Sequence, residues 1–213
     1  MSYSLDCPLC GAIADYFSTF REISYYRCNY CKSVFMDPAD HLNFEDEKLR
    51  YDQHNNDVND AGYRKFAKPI VDKIKEDYDH DHAGLDYGAG PGPVAAVLLE
   101  EEGFRKIERY DPFYWPDKKA LQKKYDFIIC CEVIEHLRFP SENFSLLRSL
   151  LLPGGSLYCM TVLYDDSLDF EQWYYKNDPT HVFFYHRKAL EWIKEKYNFN
   201  KLNVINRLIC LKS

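Results

Sequence analysis

The sequence predicts an α/β fold with a doubly wound, mostly parallel sheet, preceded by a small cysteine-bearing module. From residue 84 onward, short apolar strands alternate with helices, which is typical of a sheet covered by helices on both faces. A glycine-rich turn follows the first of these strands, and two Cys-x2-Cys pairs lie near the N-terminus. The chain has 213 residues, enough for one such domain and a small extra module.

Composition excludes several classes of protein. The chain is 46% hydrophobic and 29% charged, as expected of a soluble globular protein. Its formal net charge of -7 argues against a general nucleic-acid binder, which usually carries a basic face. We find no apolar run near the roughly 20 residues that span a bilayer and no secretion signal. We therefore expect a cytoplasmic protein without a membrane partner.

The first four cysteines predict a zinc ribbon. Cys7 and Cys10 form one pair, Cys28 and Cys31 form another, and 17 residues separate the pairs. Each pair can form a tight knuckle, and two knuckles complete a tetrahedron of thiolates. Because cysteine fills all four positions, we expect the Zn²⁺ to be structural. The other four cysteines lie in apolar runs, which fits a reducing compartment better than a disulfide framework.

The pattern divides the chain into three segments. Residues 1–42 form the ribbon, residues 43–82 form linker helices with apolar positions at helical spacing, and residues 83–213 form the α/β domain. The predicted elements of the third segment are a strand over 85–87, a helix over 94–102, a strand over 106–110, a short helix over 118–124, a strand over 127–131, a helix over 141–151, a strand over 156–163, a helix over 187–197 and a final strand pair over 201–212.

The turn after the first strand of the domain predicts a ligand site. Its glycines at 88, 90 and 92 let the backbone approach a ligand closely and aim the following helix N-terminus at it. The dinucleotide fingerprint Gly-x-Gly-x-x-Gly does not fit, because Pro93 stands where its third glycine is required. Asp111 ends the second strand about twenty residues later, where a carboxylate can accept hydrogen bonds from ribose hydroxyls.

From about residue 60 to its end, the chain resembles class I S-adenosylmethionine-dependent methyltransferases. The resemblance rests on four pieces in the right order and spacing: LDYGAGPG at 85–92, Asp111, YDFIICCEVIEHL at 125–137 and LLPGGSLYCMT at 151–161. It implies S-adenosylmethionine as the methyl donor. The cofactor-binding residues that it implies are Asp86, Gly88, Ala89, Gly90, Gly92, Asp111, Pro112, Phe113, Cys131, Glu132 and Val133.

One departure from the family pattern changes the expected sheet. Fourteen residues separate Asp111 from Asp126, too few for a helix, a third strand and a return. We therefore predict a Rossmann-like methyltransferase sheet that lacks one edge strand. Pro112 and Phe113 then stand where the adenine contact is otherwise made; core packing is the alternative role for this aromatic stretch.

The catalytic candidates are Glu132, His136 and His181. Methyl transfer requires alignment of the nucleophile, exclusion of water and sometimes removal of a proton. The resemblance places the EVIEH segment beside the cofactor cleft and the DPTHVFFYH segment over it. We predict His181 as a general base or substrate contact, with Tyr185 beside it. For both histidines, the alternative is a ring that fixes a loop through backbone hydrogen bonds.

These observations favour a methyltransferase that acts on a small molecule. Zinc modules precede similar domains in some ribosomal RNA guanine and deoxysugar methyltransferases, and nearly the whole chain resembles bacterial zinc-ribbon methyltransferases. An RNA methyltransferase that uses the ribbon as an RNA clamp is one alternative, which the acidic balance disfavours. A non-catalytic S-adenosylmethionine-binding protein is another.

Overall fold

A computed structural model describes residues 4–54 and 56–213. Its strands are β1 (Ser4–Asp6), β2 (Ile13–Phe20), β3 (Ile23–Cys28), β4 (Val34–Met36), β5 (Gly84–Tyr87), β6 (Ile107–Tyr110), β7 (Tyr125–Cys131), β8 (Leu151–Met160), β9 (Phe183–Phe184), β10 (Lys201–Ile205) and β11 (Leu208–Lys212). Its α-helices are α1 (Phe44–Asp52), α2 (Ala61–Asp77), α3 (Val94–Glu101), α4 (Pro140–Leu150) and α5 (Arg187–Lys196). Within these ranges no helix is both long and apolar enough to cross a membrane.

The larger sheet is the predicted Rossmann-like sheet. Over the described residues it has six strands in the order β10-β11-β8-β7-β5-β6. Strands β6, β5, β7 and β8 are parallel, whereas β11 runs antiparallel to β8 and β10 antiparallel to β11. Between β6 and β7 the chain forms only a 3-10 turn at Lys118–Gln122. The further helix and edge strand are absent from this segment, as predicted, so β6 is an edge strand of the sheet. Strand order reverses at β5, where open α/β sheets bind their ligands.

Helices cover both faces of this sheet because β7 is apolar on both. Phe127 and Ile129 face α2 and α3, where they pack in one buried cluster with Ile70. Ile128 and Cys130 belong to the opposite cluster, which α4 and α5 cover. Residues alternate between the two faces of a strand, so a continuous apolar run marks a strand buried on both sides. Helix α2, from the segment predicted to be a linker, therefore contributes to the core of the domain.

The smaller sheet unites the ribbon with a distant part of the chain. In the described residues its order is β1-β2-β3-β4-β9, with antiparallel neighbours. Val34 lies opposite Phe184 and Phe35 opposite Phe183, whose ring stacks on that of Phe35 at 6.1 Å. The segment 183–184 thus closes the ribbon sheet, although the sequence predicted it only as part of a loop over the cleft.

Candidate active site

A cavity of about 710 Å³ lies at the carboxyl ends of β5, β6 and β7. All three catalytic candidates, Glu132, His136 and His181, line it. Helix α1 contributes the aromatic wall (Phe44 and Tyr51), in which the Tyr51 ring lies 5.4 Å from that of His136. The predicted cofactor residues that also line the cavity are Gly88, Ala89, Gly90, Asp111, Pro112, Phe113, Cys131, Glu132 and Val133.

The glycine turn needs glycine at two positions because of its backbone conformation. Gly88 and Gly90 have φ angles of +75° and +59°, in the left-handed region that favours glycine. A Cβ on Gly88 would lie 2.6 Å from the side chain of Val133, so this glycine also permits close packing. A Cβ on Gly90 would meet no described heavy atom within 4 Å. The turn therefore leaves space beside Gly90, whose N–H and carbonyl are hydrogen-bonded to Asp111 and Trp115.

Asp86 and Gly92 lie outside the cavity lining, unlike the other predicted cofactor residues. Asp86 is buried, and burial raises the pKa of its carboxyl to about 7, opposed by a hydrogen bond from the backbone of Ala96 in α3. A Cβ on Gly92 would lie 2.2 Å from the backbone oxygen of Asn56. Asp86 supports α3, and Gly92 lets the backbone of residue 56 approach the turn. Both residues therefore shape the turn without lining the cavity.

Asp111 is fixed beside the glycine turn by backbone donors. Its Oδ1 accepts hydrogen bonds from the N–H groups of Phe113 (2.8 Å) and Tyr114 (3.1 Å), and its Oδ2 accepts one from Gly90 (3.0 Å). An ionised carboxylate has about four acceptor positions, so capacity for a further donor remains. The ring of Phe113 stacks on Phe44 at 4.3 Å and forms part of the aromatic wall.

Glu132 and Glu135 flank the end of β7 in a buried hydrogen-bond network. Glu132 has a φ of +54°, pairs with Arg207 and accepts a hydrogen bond from the Tyr175 hydroxyl at 3.1 Å. The same hydroxyl contacts Glu135, which is 0% exposed. Burial and the neighbouring Glu132 raise the pKa of Glu135 to about 8, and burial also raises the pKa of Glu132. Within the described part of the chain, Oε1 of Glu132 and Oε2 of Glu135 are buried without a hydrogen-bond partner.

His136 and His181 are held by backbone carbonyls. Nδ1 of His136 lies 2.9 Å from the carbonyl oxygen of Thr180, and Nδ1 of His181 lies 2.7 Å from that of Tyr175. A carbonyl can only accept, so Nδ1 carries the proton in each ring and the Nε2 of a neutral ring keeps its lone pair. Burial lowers the pKa of His136 to about 3 and also lowers the pKa of His181. Two neutral imidazoles therefore lie side by side, with ring centroids 4.8 Å apart.

The four N-terminal cysteines form a second cluster, the ribbon cluster (Cys7, Cys10, Cys28 and Cys31). Their sulfurs all lie within 4.8 Å of one another, with 3.7 Å between Cys7 and Cys31 and 3.4 Å between Cys10 and Cys28. A disulfide bond is about 2.05 Å long, whereas four Zn–S bonds of about 2.3 Å give S···S edges of about 3.8 Å. The backbone N–H of Tyr30 and that of Cys31 point at the Cys28 sulfur, each at 3.4 Å. This arrangement is consistent with a zinc site.

The profile of a family described as a methyltransferase domain matches residues 51–204, most of the chain. This chain belongs to that family, the class I S-adenosylmethionine-dependent methyltransferases. The match begins in α1 and ends in β10, so it includes Tyr51 of the aromatic wall and strands β5 to β8 of the larger sheet.

Two kinds of known protein resemble this methyltransferase. The ubiquinone biosynthesis O-methyltransferase of Acinetobacter baylyi is 31% identical over 85 residues, which are 38% of this chain and 34% of that protein. The match thus spans about a third of that relative's length. Solved structures share the fold: a Burkholderia thailandensis 1,6-didemethyltoxoflavin-N1-methyltransferase (TM-score 0.55, 12% identity, 93% of this chain and 98% of that one) and a Haemonchus contortus phosphoethanolamine N-methyltransferase (TM-score 0.58, 16% identity, 81% and 48%).

Sequence reasoning missed several residues of this methyltransferase site. Phe44 and Tyr51 are seven positions apart in α1 and so share one helix face, a signal that was available. Arg207 carried no local signal, and the aromatic stretch 170–179 that contains Tyr175 did not reveal its contact with Glu135, because both contacts to the end of β7 arise from tertiary packing. The predicted position of Tyr185 at the cleft is wrong. Tyr185 is buried in the core, where its hydroxyl donates to the carbonyl of Ile134 at 3.0 Å.

Proposed function

We propose that this methyltransferase transfers a methyl group from S-adenosylmethionine to a hydroxyl group of an aromatic small molecule. The observation that carries the proposal is the neutral imidazole of His181 in a cavity that aromatic side chains also line. A neutral imidazole can accept the proton of a hydroxyl nucleophile. The A. baylyi relative, an O-methyltransferase by name, adds support.

The glycine-turn side of the cavity fits the methyl donor. When bound, S-adenosylmethionine supplies a methyl group on a positively charged sulfur. The space beside Gly90 lets a ligand approach the turn closely, and Asp111 keeps acceptor capacity for a ribose hydroxyl. A volume of about 710 Å³ is within the range of about 300–1,000 Å³ typical of ligand pockets. The residues proposed to contact the donor are Gly88, Ala89, Gly90, Asp111, Pro112, Phe113, Cys131, Glu132 and Val133.

The histidine side of the cavity fits the acceptor. Tyr51, which contacts the His136 ring, and the exposed ring of Phe139 can hold an aromatic ring beside the histidines. We assign His181 the contact to the acceptor hydroxyl, with His136 as its neighbour. Glu132, whose direction is fixed by Arg207, orients the acceptor.

The ribbon cluster is proposed to hold a structural Zn²⁺. The donors are four thiolates, which suit zinc, and no position is left for a substrate. Persistence of four free thiols fits a reducing compartment such as the cytoplasm. The ribbon also positions the acceptor side: the N–H of Met36 donates to the carbonyl of Val182 at 2.9 Å, next to His181.

The test is to incubate the zinc-loaded protein with methyl-labelled S-adenosylmethionine and separate panels of phenols, amines and RNA. We expect label in aryl methyl ethers. We expect His181→Gln to reduce the rate of this labelling about 100-fold while the affinity for S-adenosylmethionine stays unchanged. Calorimetry without acceptor measures that affinity. Absence of donor binding, or label confined to amines or RNA, would contradict the proposal.

A further inference from the structure

The end of β6 and the segment after it supply hydrogen-bond partners for the glycine turn. The N–H groups of Gly88 and Ala89 both donate to the carbonyl of Tyr110, at 2.7 and 3.2 Å. The N–H of Gly90 donates to the carboxylate of Asp111 at 3.0 Å. These three N–H groups are therefore occupied within the chain, and the position of the turn depends on this segment.

The carbonyl of Gly90 receives its hydrogen bond from a side chain. The indole N–H of Trp115 donates to it at 2.8 Å, although 41% of this residue is exposed to solvent. An exposed indole N–H could bind water instead, so a backbone carbonyl as its partner indicates a specific role for the ring. Glycine has unusual backbone freedom, and a Cβ on Gly90 would meet no described heavy atom within 4 Å. Hydrogen bonds to both of its polar groups therefore restrict a residue that packing leaves free.

Trp115 is itself held in place by its surroundings. The N–H of Asp111 donates to the carbonyl of Trp115 at 3.1 Å, and the N–H of Trp115 donates to the carbonyl of Asp111 at 3.0 Å. This pair of hydrogen bonds closes a tight hairpin, the 111–115 hairpin. The guanidinium of Arg109 lies 5.7 Å from the centre of the Trp115 ring and pairs with Glu100 of α3. The ring is thus fixed between the hairpin and α3.

The 111–115 hairpin lies in the stretch from which a helix and an edge strand are missing. In the described residues β6 is an edge strand, so no further strand lies beside it. The hairpin follows β6 directly and reaches back to the glycine turn through Asp111 and Trp115. It therefore supports the turn in a part of the fold where the sheet is shortened.

We propose that Trp115 is a positioning residue for S-adenosylmethionine, because it fixes Gly90 relative to Asp111. The inference rests on the proposed function, in which Gly90 and Asp111 contact the donor. Trp115 lies outside the cavity lining, so it acts through Gly90 and not by touching the donor. Groups that already have the bound geometry lose less freedom when a ligand binds, and affinity rises accordingly.

Binding of S-adenosylhomocysteine, the demethylated donor, tests this inference without any acceptor. Calorimetry on the zinc-loaded chain measures its Kd. We expect Trp115→Phe to raise the Kd about 10-fold, as loss of one hydrogen bond can, and to leave the midpoint of urea unfolding almost unchanged. Trp192→Phe is the matched control, because Trp192 lies in α5 and its ring contacts Tyr197. An unchanged Kd, an equal rise in both variants, or a rise accompanied by a large fall in the urea midpoint would overturn the assignment.

A tryptophan analogue separates the N–H from the ring. Trp115→3-benzothienylalanine has sulfur in place of the indole nitrogen, so it keeps the ring over Arg109 but cannot donate. We expect the same rise in Kd, together with faster amide hydrogen exchange at Gly90 because the turn opens more often. A Kd equal to that of the unaltered chain would assign the effect to ring packing and overturn the proposal.

The outcomes also distinguish this inference from the proposed function. Absence of S-adenosylhomocysteine binding by the unaltered chain would overturn both. Methyl label confined to amines or RNA would contradict the proposed acceptor alone, because the Kd measurements use no acceptor.

Discussion

The ribbon cluster and the histidine side of the cavity differ in how the chain assembles them. The ribbon cluster consists of two pairs, each with its cysteines three positions apart, on local knuckles. The histidine side of the cavity combines the adjacent Glu135 and His136 with His181 from a loop farther along the chain. Four thiolates make a closed site that suits a structural ion, whereas the cavity can admit another molecule. The comparison teaches that residue spacing alone predicts the cysteine cluster, whereas the contacts among the cavity residues depend on the fold.

The largest expected effect comes from opening the ribbon cluster. We expect Cys28→Ser to lose zinc and lower the free energy of unfolding by about 5 kcal/mol or more, because folding of such a module depends on its metal. For a chain of this size, that corresponds to a fall in Tm of at least about 10 °C. Elemental analysis and calorimetry measure both quantities. Cys210→Ser, which changes a thiol outside the cluster, should keep its zinc; equal losses in the two variants would contradict the closed-site interpretation.

An intermediate effect is expected at the hydrogen-bond network beside the histidines. Tyr175→Phe removes the hydroxyl that Glu132 and Glu135 share, which leaves a buried carboxyl group without a partner. We expect the free energy of unfolding to fall by about 1–3 kcal/mol, as measured by urea unfolding. Tyr174→Phe is the control, since Tyr174 is 64% exposed. Equal stability of the two variants would contradict a supporting role for the Tyr175 hydroxyl.

The smallest expected effect is that of backbone strain in the ribbon without loss of metal. Gly11 has a φ of +74°, and a Cβ there would meet no described heavy atom within 4 Å. Gly11→Ala should therefore cost about 1–2 kcal/mol through conformation alone and should retain one zinc. Urea unfolding and elemental analysis check this. Loss of zinc from this variant would show that the knuckle depends on more than its thiolates.

Local patterns explain what could be predicted. The cysteine spacing anticipated the ribbon cluster, and the short stretch between Asp111 and Asp126 anticipated the missing edge strand. Both histidine candidates line the cavity, yet their carbonyl partners were not foreseeable, because Thr180 and Tyr175 reach them only in the folded chain. For Asp86, in contrast, the motif predicted a contact with the cofactor, and it did not reveal that the carboxyl is buried away from the cavity.

Pairing of β4 with β9 has a consequence for synthesis of the chain. Val34 leaves the ribosome 150 residues before Phe184, its partner across the sheet. At about 5–20 residues per second, the edge of β4 stays unpaired for about 8–30 s, even after the zinc knuckles have formed. Unpaired edges are sites of aggregation. Production of this protein should therefore be most vulnerable when translation slows between these two strands.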